Sequence, residues 1–208
     1  MNKRDAQALL ALLFFCGLTL VVLHPLVWHI DRLPAGGDAY EYEWKLWWVQ
    51  RALFEAGGSP WFAPQFYYPF GYSLAYGEIT PANTVLAAPL THWLGEVVTY
   101  NLIVLTSTAL SGWGMFLLAR EVTGSARAGL LAGLVFAFAP YRRVRLVHLN
   151  LIVTQWLPLY LYFLERFLRT GRRRYALAGG ISFGLNALAS WYYAVIGGGA
   201  GLAWGAYR

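Results

Sequence analysis

Long apolar runs separated by short charged or aromatic connections set the pattern of this chain. Residues 8–28, 98–119, 149–164 and 175–200 carry almost no charge. Each approaches or exceeds the ~20 apolar residues that cross a bilayer as a helix. A membrane β-barrel would show short alternating segments instead. The pattern predicts an all-α fold: a polytopic transmembrane helix bundle of about five spans plus a re-entrant or surface helix. The whole of 1–208 reads as one transmembrane domain, with 31–95 as an outer-face loop carrying an interfacial helix.

Residues 81–94 test that count. Thr80 suits an N-cap and Pro81 the first helical position, so a helix is expected to start there. About 14 residues give only ~21 Å, short of a bilayer core, and Pro89 interrupts them, so the helix is expected to be re-entrant or to lie on the surface. The remaining runs then cross in order: 98–119, a short span over about 126–140, 149–168, and 175 onward. This places Lys3, Arg4 and the RTGRRR cluster (169–174) in the cytoplasm, as the positive-inside rule asks. The last apolar stretch exceeds one span and is expected to break near Ser190–Tyr193 or to tilt, and its glycines allow close helix packing.

Composition sharpens the class. The chain is 58% hydrophobic and 12% charged with mean hydropathy +0.45, against about 25% charged in soluble domains. The first run is too long for a signal-peptide core and reads as a retained anchor. Cys16, the single cysteine, is expected as a small buried hydrophobe, so no disulfide within the chain and no cysteine metal site can form. The net charge of +6 comes from arginines at span ends, where topology accounts for them; no nucleic-acid partner is expected.

One basic group escapes that account. YRRVRLVHLN (141–150) falls on the outer face, with Arg142, Arg143 and Arg145 beside His148. Guanidinium groups there suit a lipid phosphate or pyrophosphate through forked, charge-assisted hydrogen bonds; a solvated loop is the alternative.

GGDAYEYEWKLWWVQ (36–50) mixes three carboxylates with three tryptophans. Asp38 and Glu41 match a capping box, and Glu41 with Lys45 has the spacing of a surface ion pair. Trp44, Trp47 and Trp48 share one side of the helix, which is read as an anchor at the membrane–water interface. Asp38, between a glycine pair and the helix start, is then held just above the bilayer, where a general base could serve a lipid-linked donor. Glu78 is the second candidate carboxylate. SPWFAPQFYYPFGYSLAYGE (59–78) carries eight aromatics, four of them tyrosines, and Tyr67, Tyr68 and Tyr76 are candidate sugar or acceptor contacts. His24 and His92 read as packing or interfacial residues. No cofactor is implied; a divalent cation is compatible with the acids, but no metal-ligand spacing indicates one.

These residues carry a resemblance. GGD, FYYPFGYSLAYGE, LSGWGMFLLAREVTGS, AGLVFAFAPYR and HLNLIVTQWLPL together resemble the N-terminal half of bacterial GT-C glycosyltransferases, including polyprenyl-phosphate-sugar-dependent mannosyl- and arabinosyltransferase-like proteins. The resemblance covers residues 8–195. It implies a polyprenyl-phosphate-linked sugar as donor, transfer at the outer face of the cytoplasmic membrane, and an essential aspartate on a surface helix of the first outer loop. Asp38 matches that aspartate, although Ala39 follows it where protein mannosyltransferases carry glutamate. The family's outward basic residues hold the lipid phosphate, which implies that role for Arg142, Arg143, Arg145 and His148. Family members are longer, so the chain is expected to be an N-terminal portion. A transporter or lipid flippase is the alternative, but it calls for ionisable groups near the midplane of the spans, and none occurs in 8–28, 98–119 or 175–200. A non-catalytic membrane subunit is the third reading.

Overall fold

The computed structural model describes residues 2–32, 36–55 and 57–208. Helix α1 (Lys3–Val22) starts where the Asn2 side chain accepts from the Asp5 amide, and α2 (His24–Trp28) follows. Then come α3 (Gly37–Phe54) and the aromatic loop. That loop holds the one departure from all-α among the described residues: β1 (Phe62–Ala63) paired antiparallel with β2 (Tyr72–Ser73), Phe62 opposite Ser73. Helix α4 (Pro81–Leu94) begins at the proline the sequence marks. Its cap Thr80 makes no side-chain hydrogen bond and sits in the left-handed region at φ 48°.

The long helix α5 (Glu96–Thr123) ends at Gly124, whose φ of 72° makes the turn into α6 (Ala126–Phe138). Two short helices, α7 (Pro140–Val144) and α8 (Leu149–Ile152), lead to α9 (Trp156–Thr170). Helices α10 (Arg173–Ala189) and α11 (Trp191–Tyr207) complete the order. The break between them falls at Ser190, inside the expected interval. The expected span 149–168, by contrast, is interrupted at Val153–Gln155, so its first part is a separate turn of helix. Among the described residues α1 and α5 are long and apolar enough to cross a membrane. Helices α6, α9, α10 and α11 have 13 to 17 residues, about 20–26 Å each, so the count of five spans rests on the sequence.

Long-range hydrogen bonds set the directions of the helices. Arg120 Nη1 donates to the Arg4 carbonyl at 2.9 Å and Trp113 Nε1 to the Ala8 carbonyl at 2.9 Å. Further along, Asn101 Nδ2 reaches the carbonyls of Ile30 and Arg32 at 2.7 and 2.8 Å. Helices α1 and α5 are therefore antiparallel. Alternation through the short turns then gathers Arg4, Arg120, Arg127 and Arg169–Arg174 at one end. Asp38, Glu78, His148 and Ser190 lie at the other.

Small residues let the helices meet: a Cβ on Gly129 would lie 2.8 Å from Phe116, and one on Gly197 3.1 Å from Asn186 Nδ2 and from Leu157. Polar Thr99, Asn101, Ser107, Thr108, Ser111 and Asn186 are buried, while Leu10, Leu13, Val21, Leu131, Val135 and Val195 face outward. Polar and small groups inside with apolar groups outside is how helices pack in lipid. Cys16 is exposed on α1, not buried as expected, because it shares the outward helix face with Leu9, Leu13 and Leu20, opposite the buried Ala11, Phe15 and Thr19.

The tryptophans correct the sequence reading. Trp48 is 8% exposed, and with Val49 and Ala52 it packs against Ala63, Leu74, Ile79 and Ala88. Trp44 stacks parallel on Trp48 at 6.0 Å and meets Phe66 at 4.6 Å. The indoles form the floor of the aromatic loop, which folds back over α3 and packs its apolar residues on them.

Candidate active site

Four separated parts of the chain line one cavity of about 560 Å³: Asp38, Glu41 and Tyr42 from α3, Glu78 from the lead-in to α4, Tyr141, His148, Asn150 and Leu151 from the α7–α8 segment, and Tyr192 from α11. Asp38 occupies the first turn of α3, where the positive end of the helix dipole favours a carboxylate. The expected capping box is not formed: Gly36 is the N-cap and no side chain caps the helix. Asp38 Oδ2 instead meets His148 Nε2 at 2.6 Å across the cavity. His148 Nδ1 is buried without a partner among the described residues.

Glu78 is held from three sides. Asn150 Nδ2 donates to its carboxylate, the Tyr42 hydroxyl donates to Oε2 at 3.4 Å, and Lys45 Nζ donates to its backbone carbonyl at 2.8 Å. Burial, reinforced by the nearby Glu78 and Glu41 charges, pushes the Tyr42 phenol well above its ordinary pKa, so Tyr42 stays protonated and a donor. Lys45 is buried, with Glu41 at 2.5 Å as its counter-ion. Lys45 of the expected surface pair is thus an internal strut that fixes the Glu78 backbone, while the Glu41 side chain stays 59% exposed.

The α7–α8 segment is irregular, and backbone carbonyls in such a place need donors. Tyr100 supplies one to Leu146 O at 2.8 Å, Tyr193 one to Leu151 O at 2.9 Å, and Arg142 Nη2 one to Ile152 O at 2.8 Å. Arg142 is 8% exposed and also donates from Nη1 to Thr154 Oγ1 at 2.5 Å. Burial pulls its pKa down to about 10. The three arginines of 142–145 therefore point three ways. Arg142 is turned into the bundle and holds the segment's shape, which takes it out of the expected phosphate group. Arg143 lines a separate apolar groove with Leu23, Leu26, His29 and Arg32. Arg145 lies 5.2 Å from the ring of Tyr141, which lines the Asp38 cavity.

Of the sequence candidates, Asp38, Glu78 and His148 come together. Tyr67, Tyr68 and Tyr76 stand exposed on the loop and do not line this cavity. Asn150, Tyr42, Tyr141 and Tyr192 are additions the sequence reading missed. The alternation of His148 and Asn150, facing Asp38 and Glu78 respectively, was visible in HLN, but its two acidic counterparts were not. Among the described residues no three His, Cys, Asp or Glu side chains converge closely enough to hold a metal ion.

Searches of curated proteins and of solved structures return no match. A family model does match: oligosaccharyl transferase STT3, N-terminal, over residues 50–196. The match begins inside α3, so Asp38 lies outside it while Glu78, His148 and Asn150 lie within. It agrees with the GT-C class read from the sequence and does not extend to the mannosyl- or arabinosyltransferase-like type. With well over half of its length matched, including the elements that build three of the cavity's four walls, the chain belongs to the STT3 N-terminal family of oligosaccharyl transferases, a family of GT-C membrane glycosyltransferases.

Proposed function

We propose that this chain transfers a sugar from a polyprenyl-phosphate-linked donor to an acceptor at the outer face of the cytoplasmic membrane, its N-terminus being cytoplasmic. The observation that supports this most is the 2.6 Å contact between Asp38 and His148. It joins the first loop to the α7–α8 segment around one cavity, at the end of the bundle opposite the arginine-rich turns.

In this reading Asp38 accepts the proton of the acceptor hydroxyl as its oxygen attacks the anomeric carbon. The bond from that carbon to the phosphate oxygen breaks, and the electron pair leaves with the polyprenyl phosphate. His148 donates to Asp38 and fixes which carboxylate oxygen faces the acceptor. Glu78, itself fixed by Asn150, Tyr42 and Lys45, orients the acceptor. Arg145, beside Tyr141 of the cavity wall, supplies the charge that stabilises the departing phosphate; Arg143 meets the donor in the neighbouring groove, and Arg142 supports their segment from below. The exposed Tyr67, Tyr68 and Tyr76 are further contacts for the acceptor as it approaches.

Asp38→Asn tests the reading. Transfer of a radiolabelled sugar from a polyprenyl-phosphate donor in membrane vesicles is expected to fall by about 10²–10⁴, the usual contribution of a general base. Expression and thermal stability should be unchanged, because Asp38 is over half exposed. Transfer at the wild-type rate by a folded variant overturns the assignment.

A further inference from the structure

Charge is divided unevenly within the outer layer of the fold. Residues 36–55 hold six charged side chains, Asp38, Glu41, Glu43, Lys45, Arg51 and Glu55, whereas the whole of 57–95 holds only Glu78. Glu78 faces the Asp38 cavity, where Asn150 and Tyr42 donate to its carboxylate. His92, the one histidine in 57–95, is bonded to Gln50 of α3 at 2.8 Å. The outward surface of the aromatic loop and α4 therefore carries no carboxylate, ammonium or guanidinium group.

That surface is also strongly apolar. On α4, Thr84, Ala88 and Thr91 are buried, while Leu86, Leu90, Trp93 and Leu94 are exposed, Trp93 by 83%. At about 100° per residue the four exposed side chains share an arc of ~100°, opposite the three buried ones. In the loop before it, Tyr67, Tyr68, Phe70 and Tyr76 stand exposed, Phe70 by 86%. The loop cannot collapse to hide them. Its backbone is pinned by the β1–β2 ladder and by Leu74 N–H donating to the Trp61 carbonyl at 2.8 Å, and the space beneath is filled by Trp44 and Trp48.

An exposed apolar patch of this extent marks an interaction surface, and its place in the fold identifies the partner. Helix α4 runs across the outer ends of the other helices. Its start lines a cavity with Ala187–Trp191 of the α10–α11 junction, and its end passes through Gly95 directly into α5, which is long and apolar enough to cross a membrane. The patch is thus continuous with a surface that lipid already covers. A surface without charge has nothing with which to steer or select a water-soluble partner. The mixture of tryptophan, tyrosine and phenylalanine is the composition that settles at membrane–water boundaries.

We propose that the aromatic loop and the outward face of α4 form a foot that enters the outer leaflet at the boundary of headgroups and acyl chains, with the charged side of α3 facing water. The anchoring role expected of the α3 tryptophans passes to the loop that covers them and to Trp93. Glu78 lies between the two inserted parts, so the depth of the foot sets the height of the Asp38 cavity above the bilayer. The tyrosine hydroxyls take the headgroup level, where an acceptor moving along the membrane surface still reaches them. The foot does not depend on Asp38 being the base of the transfer reaction.

The test attaches a nitroxide to the full chain at Phe70→Cys, Leu90→Cys, Trp93→Cys and, on α3, Arg51→Cys, one at a time. Cys16, the single native cysteine, is replaced by alanine. In nanodiscs of phosphatidylethanolamine and phosphatidylglycerol holding one copy each, electron paramagnetic resonance compares relaxation by oxygen, which concentrates in lipid, with relaxation by a water-soluble nickel chelate. Labels at Phe70, Leu90 and Trp93 are expected about 5–10 Å below the phosphates, with nickel access roughly fivefold or more below that at Arg51. All three wild-type side chains are exposed, so the labels displace little packing, and any one folded variant still reads the depth of its part. Nickel access at Leu90 and Trp93 equal to that at Arg51 overturns the foot. Shielding of these labels from both relaxants overturns the lipid assignment, because protein then covers the face. Insertion at Leu90 and Trp93 with Phe70 in water overturns the part assigned to the loop.

Discussion

Arg142 is the residue for which sequence and structure make opposite predictions. As a phosphate ligand it would be dispensable for folding; as a buried strut it would not. Replacing it by methionine keeps the bulk and removes two charge-assisted hydrogen bonds, to Thr154 Oγ1 and the Ile152 carbonyl. Such bonds contribute about 1.5–3 kcal/mol each, so the gross loss is about 3–6 kcal/mol. Against this, the variant no longer keeps a charge in a buried site. The fall of the Arg142 pKa from its ordinary value to about 10 sets that relief at roughly 3 kcal/mol, at ~1.4 kcal/mol per pH unit. The Ile152 carbonyl left without its donor keeps the balance unfavourable, and the net loss is about 1–3 kcal/mol. For a chain of this size that lowers Tm by roughly 2–12 °C. The assay is thermal unfolding in nanodiscs, followed by intrinsic tryptophan fluorescence, with Arg143→Ala and Arg145→Ala alongside. These two are expected to keep the wild-type Tm within about 2 °C, since their side chains are exposed or half-buried, and to lose sugar transfer. Wild-type stability in Arg142→Met combined with abolished transfer would refute the strut and return Arg142 to the substrate.

Three further outcomes follow from the same geometry. His148→Ala is expected to lower the transfer rate by about 10–100-fold through misplacement of Asp38, and His148→Gln, which keeps an N–H donor, to recover part of it; equal loss in both would argue against an orienting role. Trp48→Ala should cost about 3–5 kcal/mol, as for a buried tryptophan, and should open the 57–78 loop to limited proteolysis. An interfacial anchor would instead leave the loop protected while weakening membrane association. Gly197→Val puts branched carbon where a Cβ alone would come within 3.1 Å of Asn186 and Leu157. The expected loss is about 1–3 kcal/mol, measured as thermal stability; wild-type stability would argue against close packing of α11 on α10 at this point.

The sequence by itself determined the class and most of the segmentation. Apolar runs of span length, the Thr80–Pro81 start of α4, the break at Ser190 and the arginine-rich turns all follow from local chemistry: hydropathy, the fixed φ of proline, and charge that must stay at the membrane edge. Asp38 and Glu78 also stood out, because carboxylates are scarce beside apolar runs. What only the tertiary structure decided was which groups face each other. The α3 tryptophans, on one side of a helix by their spacing, turned inward because the aromatic loop folded over them. Lys45 became an internal strut because Glu78 presented it with a carbonyl. The adjacent arginines parted because Arg142 turned inward to the Ile152 carbonyl and the Thr154 hydroxyl. His148 and Asn150 gained their meaning when the α7–α8 segment met the start of α3 and the approach to α4. Helix periodicity is written within a few neighbouring residues, whereas an unpaired carbonyl or carboxylate is satisfied by whatever donor the whole fold brings near.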